Sequence, residues 1–163
     1  MPTLSSDLIC GGCEAGFLPS NSSMDRCSRC SAGNYVPAYA EPGSCSMYAC
    51  PAGLIDADSN ASTPCVWCPN GTYVPAGSWG NCSAFDCPAG QTDLDFNPST
   101  LCVACPLGSY SAVGSTGACK LCPAGTSDTD DNPATPCAEC APGTYAPPGS
   151  FGKNKKNKRE HGM

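Results

Sequence analysis

This chain of 163 residues has little of what builds an ordinary globular core. Aromatic residues make up 7% of it and charged residues 13%. No stretch has the periodicity of an amphipathic helix of three turns, and no run is long and apolar enough to span a bilayer. Segments of this kind cannot assemble one buried core, so covalent crosslinks must supply what burial does not.

The residues that catalysis needs are also scarce. The single histidine, His161, lies in the C-terminal tail, so no Ser/His/Asp or Cys/His set can form elsewhere in the chain. A redox Cys-x-x-Cys pair needs a helix start to lower a thiol pKa, whereas glycine and proline follow the pairs here. The sequence therefore predicts a protein that is not an enzyme.

Positive charge is confined to one end of the chain. Residues 1–152 carry three basic residues against thirteen acidic ones, and residues 153–163 carry five basic residues against Glu160. Nucleic acid is bound through Lys and Arg, which displace counterions from the phosphates. An acidic array of this composition predicts no nucleic-acid partner.

Cysteine, glycine and proline are abundant, at 16, 18 and 17 residues. The cysteines form eight close pairs, which are Cys10/Cys13, Cys27/Cys30, Cys45/Cys50, Cys65/Cys68, Cys82/Cys87, Cys102/Cys105, Cys119/Cys122 and Cys137/Cys140. Between the pairs, two kinds of segment alternate. The acidic segments begin Pro-Ala-Gly and span 51–64, 88–101 and 123–136, and the Gly-x-Tyr segments include 31–44, 69–81 and 106–118. Such repetition predicts an array of small modules.

The predicted fold is a small disulfide-rich repeat array of short β-hairpins and turns, elongated and without a single hydrophobic core. Four units contain four cysteines each, at 10–30, 45–68, 82–105 and 119–140. With the segments that join them, the predicted divisions are a stub at 1–9, repeats at 10–44, 45–81, 82–118 and 119–152, and a basic disordered tail at 153–163.

The sixteen cysteines are expected to form eight disulfides, because each unit holds an even number. Four cysteines allow three connectivities, and the sequence does not choose among them. Bonds inside the close pairs would constrain little. The favoured pairing is therefore laddered, first to third and second to fourth, so that Cys10–Cys27 accompanies Cys13–Cys30.

Zinc is the alternative in another class of protein, an intracellular array of four-cysteine sites. The spacing of Cys10, Cys13, Cys27 and Cys30 suits a four-thiolate zinc site. Two pairs, Cys45/Cys50 and Cys82/Cys87, are opened to four intervening residues, which weighs against that alternative. So do four N-glycosylation sequons, at Asn21, Asn60, Asn70 and Asn81.

The acidic segments contain the only candidate ligand site for a metal. Each places three oxygen-bearing side chains at alternate positions, in the sets Asp56/Asp58/Asn60, Asp93/Asp95/Asn97 and Asp128/Asp130/Asn132. Calcium loops use this spacing, so a weak calcium site is one prediction. Asp and Asn also form turns with no metal, by bonding their own backbone. Replacing Asp93 and Asp95 is expected to leave the other units folded.

The run CPAGTSDTDDNPATPCAECAPGTYAPPGSFG resembles the ephrin-receptor-like cysteine-rich repeats and the related modules of tumour-necrosis-factor receptors. The resemblance covers about residues 10–152. It implies an extracellular, disulfide-bonded rod, either secreted or in the ectodomain of a membrane protein. The implied role is a spacer, adhesion segment or receptor ectodomain with a protein or glycan partner and no cofactor.

Both ends depart from the repeat. Residues 1–9 lack the basic start and apolar core of a signal peptide. The run Gly149–Gly152 parallels Gly77–Gly80, after which a cysteine is expected at position 154, where Asn154 stands. Two interpretations stay open: a truncated or misread piece of a longer array, or a genuine basic tail, disordered in solution.

Overall fold

A computed structural model describes residues 12–19 and 26–152. Within those ranges the chain forms ten strands of two or three residues, paired in five separate antiparallel hairpins, and no α-helix. The hairpins are β1–β2 (Phe17–Pro19, Cys27–Arg29), β3–β4 (Leu54–Ile55, Val66–Trp67), β5–β6 (Gln91–Thr92, Val103–Ala104), β7–β8 (Ser109–Tyr110, Lys120–Leu121) and β9–β10 (Thr126–Ser127, Ala138–Glu139). The same residues include no helix of the length and apolarity that a bilayer span requires.

The Pro-Ala-Gly phrase forms the turn that starts each acidic segment. In the second repeat the N–H of Leu54 donates to the carbonyl of Pro51, and Gly53 has a φ of 86°. A positive φ at the third residue is the mark of a type II turn, and glycine adopts it without steric cost. The turn reverses the chain and directs it into β3, which then pairs with β4.

The two wider cysteine pairs have a structural reason. The four residues from Cys45 to Tyr48 and from Cys82 to Phe85 form short 3-10 helices, capped by the side chains of Ser44 and Asn81. The corresponding stretch after Cys119 has only two residues before Cys122, and it forms strand β8 instead. Where a cysteine pair has two extra residues, a turn of 3-10 helix therefore takes the place of the strand, and the order of the segments is unchanged.

Seven disulfides form among the described residues, and each closes a single segment. They join cysteines 14 or 15 residues apart, and they are Cys13–Cys27, Cys30–Cys45, Cys50–Cys65, Cys68–Cys82, Cys87–Cys102, Cys105–Cys119 and Cys122–Cys137. The laddered pairing predicted from the sequence is therefore wrong. The second cysteine of each close pair bonds the first cysteine of the next pair.

Hairpin geometry explains this pairing. The turn at Pro51–Gly53 and the register of Leu54 with Trp67 place the start of the segment beside its end. The Cα atoms of Cys50 and Cys65 are 5.8 Å apart, well inside the range that a disulfide can bridge. Cys68 follows strand β4, and its N–H donates to the carbonyl of Gly53, which precedes β3. Its sulfur atom bonds Cys82 and so closes the next segment.

The shifted pairing changes which cysteines are left without a partner. Cys140 has no partner in the part of the chain that the structure describes, and Cys10 lies outside that part. Three of the bonds, Cys30–Cys45, Cys68–Cys82 and Cys105–Cys119, cross the predicted repeat boundaries at 45, 82 and 119. Those boundaries stay a prediction, whereas the crosslinked unit is the single segment.

Burial is local, as the composition predicts. One cluster of buried residues joins Leu18, Cys30, Val36 and Ala61, and a second joins Ile55, Cys68 and Val74. Each cluster takes side chains from consecutive segments, and no single core spans the described residues. This confirms a disulfide-rich array without a single hydrophobic core.

Main-chain hydrogen bonds connect each segment to its neighbours in the sequence. The N–H of Gly16 donates to the carbonyl of Val36, whose own N–H donates to the carbonyl of Ala61. The same relay recurs from Gly53 through Val74 to Pro98, and from Gly90 through Ser111 to Pro133. Repeats that contact only adjacent repeats behave as a quasi-one-dimensional stack.

The pairing rule predicts what a cysteine at position 154 would do. The segment that starts at Cys140 should close with a cysteine 14 residues later, as do Cys68–Cys82 and Cys105–Cys119. In the unchanged chain we expect alkylation to label Cys140. In Asn154→Cys we expect Cys140 to pair with position 154 and resist alkylation, with a gain of about 3 kcal/mol in stability for a loop of this length.

Asn154→Ser is the matched control, because it changes the same position without a thiol. Peptide mapping under non-reducing conditions identifies the bond. A laddered pairing would bond Cys140 to Cys122 already in the unchanged chain, so a Cys140 that resists alkylation through a bond to Cys122 would contradict the rule.

Candidate functional site

Three buried aspartates lie at the junctions between successive segments. Asp56, Asp93 and Asp128 are only 1–2% exposed. The Oδ2 atom of each accepts a hydrogen bond from a glycine N–H of the preceding Gly-x-Tyr segment, at 2.9 Å from Gly33, 2.9 Å from Gly71 and 3.2 Å from Gly108. A charged acceptor makes such bonds roughly twice as strong as neutral ones, so each carboxylate ties two segments together.

The same aspartates also bind their own loop and the following segment. The Oδ1 atom of Asp93 accepts from the N–H of Asn97 at 3.0 Å. The main chain of Asp93 donates to the carbonyl of Ser115 and accepts from the N–H of Gly117. Asp56 and Asp128 repeat this arrangement. Each buried aspartate therefore joins three consecutive segments.

The second aspartate of each acidic segment has a different role. The exposed carboxylates of Asp58, Asp95 and Asp130 accept a hydrogen bond from the hydroxyl of a threonine five residues later, at 2.7–2.9 Å to Oδ1. The asparagine between them turns inward, so that Asn97 Oδ1 accepts from the N–H and hydroxyl of Ser99. These bonds close each acidic loop upon itself.

The side chains of the predicted calcium sets accept hydrogen bonds from the protein itself. In the third repeat Asp93 accepts from Gly71 and Asn97, Asp95 from Thr100, and Asn97 from Ser99. In the second repeat Asp56 and Asp58 both accept from the N–H of Asn60. Residues 12–19 and 26–152 contain no cluster of three or more His, Cys, Asp or Glu side chains able to hold a metal ion. Calcium binding at these residues stays a prediction.

Hydrogen bonding lowers the pKa of several of these carboxyl groups. The hydroxyls of Thr63 and Thr100 hold the pKa of Asp58 and of Asp95 below the usual value. Burial acts to raise the pKa of Asp128, but hydrogen bonds from the N–H groups of Gly108 and Asn132, together with those involving Asp130 and Asp131, outweigh it, so that this pKa is also lowered. The surroundings of Asp128 thus stabilise its ionised form.

The four sequons lie in different environments. Asn70 and Asn81 are exposed, although Asn81 also caps the 3-10 helix that starts at Cys82. Asn60 is half-buried, and its Oδ1 accepts from Ser62. Asn21 lies outside the described residues. Glycosylation at these positions stays a prediction.

Large apolar side chains are exposed along the middle of the array. Trp67 is 68% exposed, Trp79 is 60%, Phe96 is 55% and Leu101 is 70%. Tryptophan is the residue most enriched among the side chains that dominate protein interfaces. The sequence analysis did not single these residues out, because exposure of an apolar side chain has no local sequence signal.

Residues 94–135 match the family model described as tyrosine-protein kinase ephrin type A/B receptor-like. That range begins inside one acidic segment and ends inside the next, so it contains the whole segment closed by Cys105–Cys119. Residues 94–135 are therefore similar to an ephrin-receptor-like cysteine-rich module, and the cysteine pattern of that range recurs along the chain. No curated protein matches the sequence.

These ephrin-receptor-like repeats and their disulfides fit an extracellular protein-binding module. The matched family is a receptor-like cysteine-rich module and not an enzyme. Zinc binding is not supported, because fourteen cysteines are consumed by the seven disulfides and a zinc site needs thiolates.

The structural role of the buried aspartates was missed at the sequence level. Asp56, Asp93 and Asp128 each stand six residues after the first cysteine of their segment, while the first repeat has Pro19 there. The recurrence was visible, but the alternate acidic residues were interpreted only as a calcium loop or as turn formers. Asp93 contacts three segments, so the array depends on it more than the sequence analysis assumed. That the other units stay folded when Asp93 and Asp95 are replaced stays a prediction.

Asp93→Asn should therefore destabilise the array. An amide has one acceptor oxygen instead of two, so either the N–H of Gly71 or that of Asn97 loses its partner in a buried place. We expect a loss of about 1–3 kcal/mol in the free energy of unfolding. Asp95→Asn, on the exposed side of the same loop, is the matched control and should cost less. Equal losses in denaturant titrations of the two variants would contradict the junction role.

The lowered pKa of Asp128 predicts a pH dependence. A carboxylate whose folded pKa is depressed contributes stability above its unfolded pKa of about 3.9, and this is lost as the pH falls through the folded pKa. The stability difference between the unchanged chain and Asp128→Asn should be constant from pH 7 to pH 5 and shrink below pH 4. Asp131→Asn, an exposed neighbour, serves as control. A difference that is constant down to pH 2.5 would refute this.

Proposed function

We propose that this chain is a stiff extracellular spacer that presents a protein-binding surface along its length. The observation that carries the proposal is the junction. Seven segments are closed by their own disulfides, and from residue 31 to residue 152 successive segments are fixed to one another by a buried carboxylate and a relay of main-chain bonds. Crosslinked units joined by flexible linkers would lack those bonds and could not keep a fixed orientation relative to one another.

The exposed apolar side chains support binding rather than spacing alone. Trp67 and Trp79 come from the second repeat: Trp67 directly precedes Cys68, and Trp79 lies inside the segment closed by Cys68–Cys82. The third repeat has Ala104 and Thr116 at these two positions, whereas the fourth has Glu139 and the exposed aromatic Phe151. Two exposed tryptophans in one repeat are not needed for its fold, and they offer large contact area to a protein partner.

The surroundings of the proposed binding surface suit an oxidising compartment. Disulfides of this density are formed and kept in secreted and surface proteins. Glycans at Asn70 and Asn81, which are both exposed, fit the same location. An acidic array without catalytic residues among those described supports neither nucleic-acid binding nor enzymatic activity.

Solution scattering of the oxidised chain, expressed through a secretory pathway, tests the spacer. A compact protein of this length has a radius of gyration of about 15 Å. We expect a clearly larger value and the profile of a stiff rod. The triple variant Asp56→Asn, Asp93→Asn, Asp128→Asn should keep its disulfides and lose stiffness, because only the junction carboxylates change.

The matched control replaces the three exposed aspartates, Asp58, Asp95 and Asp130, with Asn, and it should scatter like the unchanged chain. A compact radius for the unchanged chain would overturn the spacer. So would a triple junction variant with unchanged stiffness.

A further inference from the structure

The second and fourth repeats each present one exposed aromatic side chain beside the buried junction aspartate. The main chain of Trp79 forms a bridge with Asp56, and that of Phe151 forms the same parallel bridge with Asp128. Trp79 is 60% exposed and Phe151 is 59% exposed. These two rings therefore occupy equivalent places on the surface, next to a contact that holds consecutive segments together.

In the third repeat the aromatic side chain comes from another part of the sequence. Thr116 forms the bridge with Asp93, where the other two repeats have an aromatic residue. Phe96, in the acidic segment, lies beside it: a Cβ atom added at Gly117 would be 3.2 Å from the Cζ atom of Phe96, whose ring is 55% exposed. Each of these three repeats thus has an exposed aromatic ring at the same place, although the residue that supplies it differs. We name these residues the aromatic set: Trp79, Phe96 and Phe151.

Folding alone does not explain the aromatic residue at position 96. Phe96 has a φ of 58°, in the left-handed region, as do Ser59 and Asp131 at the equivalent positions, with φ of 58° and 56°. That conformation is unfavourable for a bulky side chain, whereas Asp is several-fold enriched there. Because the Phe96 ring is also exposed, it gains little from burial. Strained residues of this kind are concentrated at functional sites, so Phe96 points to a contact outside the chain.

Carboxylates lie beside the aromatic set. Asp95 directly precedes Phe96 and is exposed. In the fourth repeat a Cβ atom added at Gly152, next to Phe151, would be 3.9 Å from Oδ1 of the exposed Asp131. An aromatic face attracts a cation through its quadrupole, and a carboxylate attracts it through charge. A ring with a carboxylate beside it therefore favours a cationic group over a neutral or anionic one.

We infer that the aromatic set is a docking surface for a segment of a partner protein that is rich in arginine and lysine. The middle of the chain supplies no such cation itself, since residues 31–119 contain no lysine or arginine against six aspartates and glutamates. A partner of opposite charge is attracted at long range and oriented by this field. Its arginine and lysine side chains then lie over the rings, among which tryptophan attracts a cation most strongly.

The inference deepens the proposed binding role, on which it rests, by naming the chemistry of the partner. The two can fail separately. A chain that scatters as a compact particle without any partner would contradict the stiff spacer, whatever the aromatic set binds. A neutral peptide that binds as well as a cationic one would leave the binding role in place and contradict only the cationic partner.

The test follows the full oxidised chain, labelled with nitrogen-15, during titration with a synthetic peptide. The peptide has about eight Gly-Ser-Arg repeats, which reach up to about 80 Å when extended. The matched control peptide has Gln in place of each Arg. We expect the arginine peptide to shift the indole N–H of Trp79 and the amide of Phe96, and to bind at least about tenfold more tightly than the glutamine peptide. The amide of Gly71, which is buried and bonded to Asp93, should not shift.

Substitution of the aromatic set separates the rings from the overall charge. Trp79→Leu, Phe96→Leu and Phe151→Leu keep an apolar side chain and change no charge. Each should weaken binding of the arginine peptide about two- to fivefold, and the triple variant at least about tenfold, since each ring loses one cation–π contact at an exposed site. Leu101→Ala removes an exposed apolar side chain that is not aromatic, so this matched control should bind like the unchanged chain. An unshifted Gly71 amide verifies that each variant is folded.

Equal binding of the arginine peptide by the triple variant would overturn the inference, because attraction to the acidic chain in general would then explain the binding. So would equal binding of both peptides, or no shift with the arginine peptide up to about 1 mM. Without any peptide, a Trp79 indole signal that shifts with the concentration of the unchanged chain would identify a second copy as the occupant. One that shifts on deletion of residues 153–163 would identify that basic segment. Either result would also overturn the inference.

Discussion

Closure of each segment by its own disulfide is the constraint on which the rest of this structure depends. A loop of 14 or 15 residues is pinned at its ends, with Cα atoms 5.5–5.8 Å apart. Each bond of that loop length contributes about 3 kcal/mol by restricting the unfolded chain. The segments can then bury as little as Ile55, Cys68 and Val74 in one cluster and still fold.

Closed loops alone would be independent units joined by linkers, and the buried aspartates connect them into one array. Asp56, Asp93 and Asp128 occupy equivalent positions and satisfy a glycine N–H that a neighbour leaves open. Burying a carboxylate is costly unless it is fully hydrogen-bonded, and here each accepts from two segments. The exposed aspartates beside them only close their own loops. Two aspartates of one acidic segment therefore have different structural roles, although the sequence does not distinguish them.

The junction contacts leave the large apolar side chains of the second repeat at the surface. Trp67 is 68% exposed and Trp79 is 60% exposed. The proposed binding role rests on these side chains, whereas the proposed stiffness rests on the junction.

The sequence by itself determined the repeat, the disulfide chemistry and the hairpin-and-turn fold, because cysteine spacing and the Pro-Ala-Gly phrase are local signals. The resemblance to ephrin-receptor-like repeats could be read from the same residues. Only the tertiary structure decided which cysteines pair, since the ladder and the closed segment use the same residues and differ in which ends the hairpin brings together. It also decided the role of Asp93, because its partner Gly71 lies 22 residues away in the preceding segment. A one-dimensional pattern shows that a carboxylate recurs, whereas the folded chain alone shows which N–H it meets.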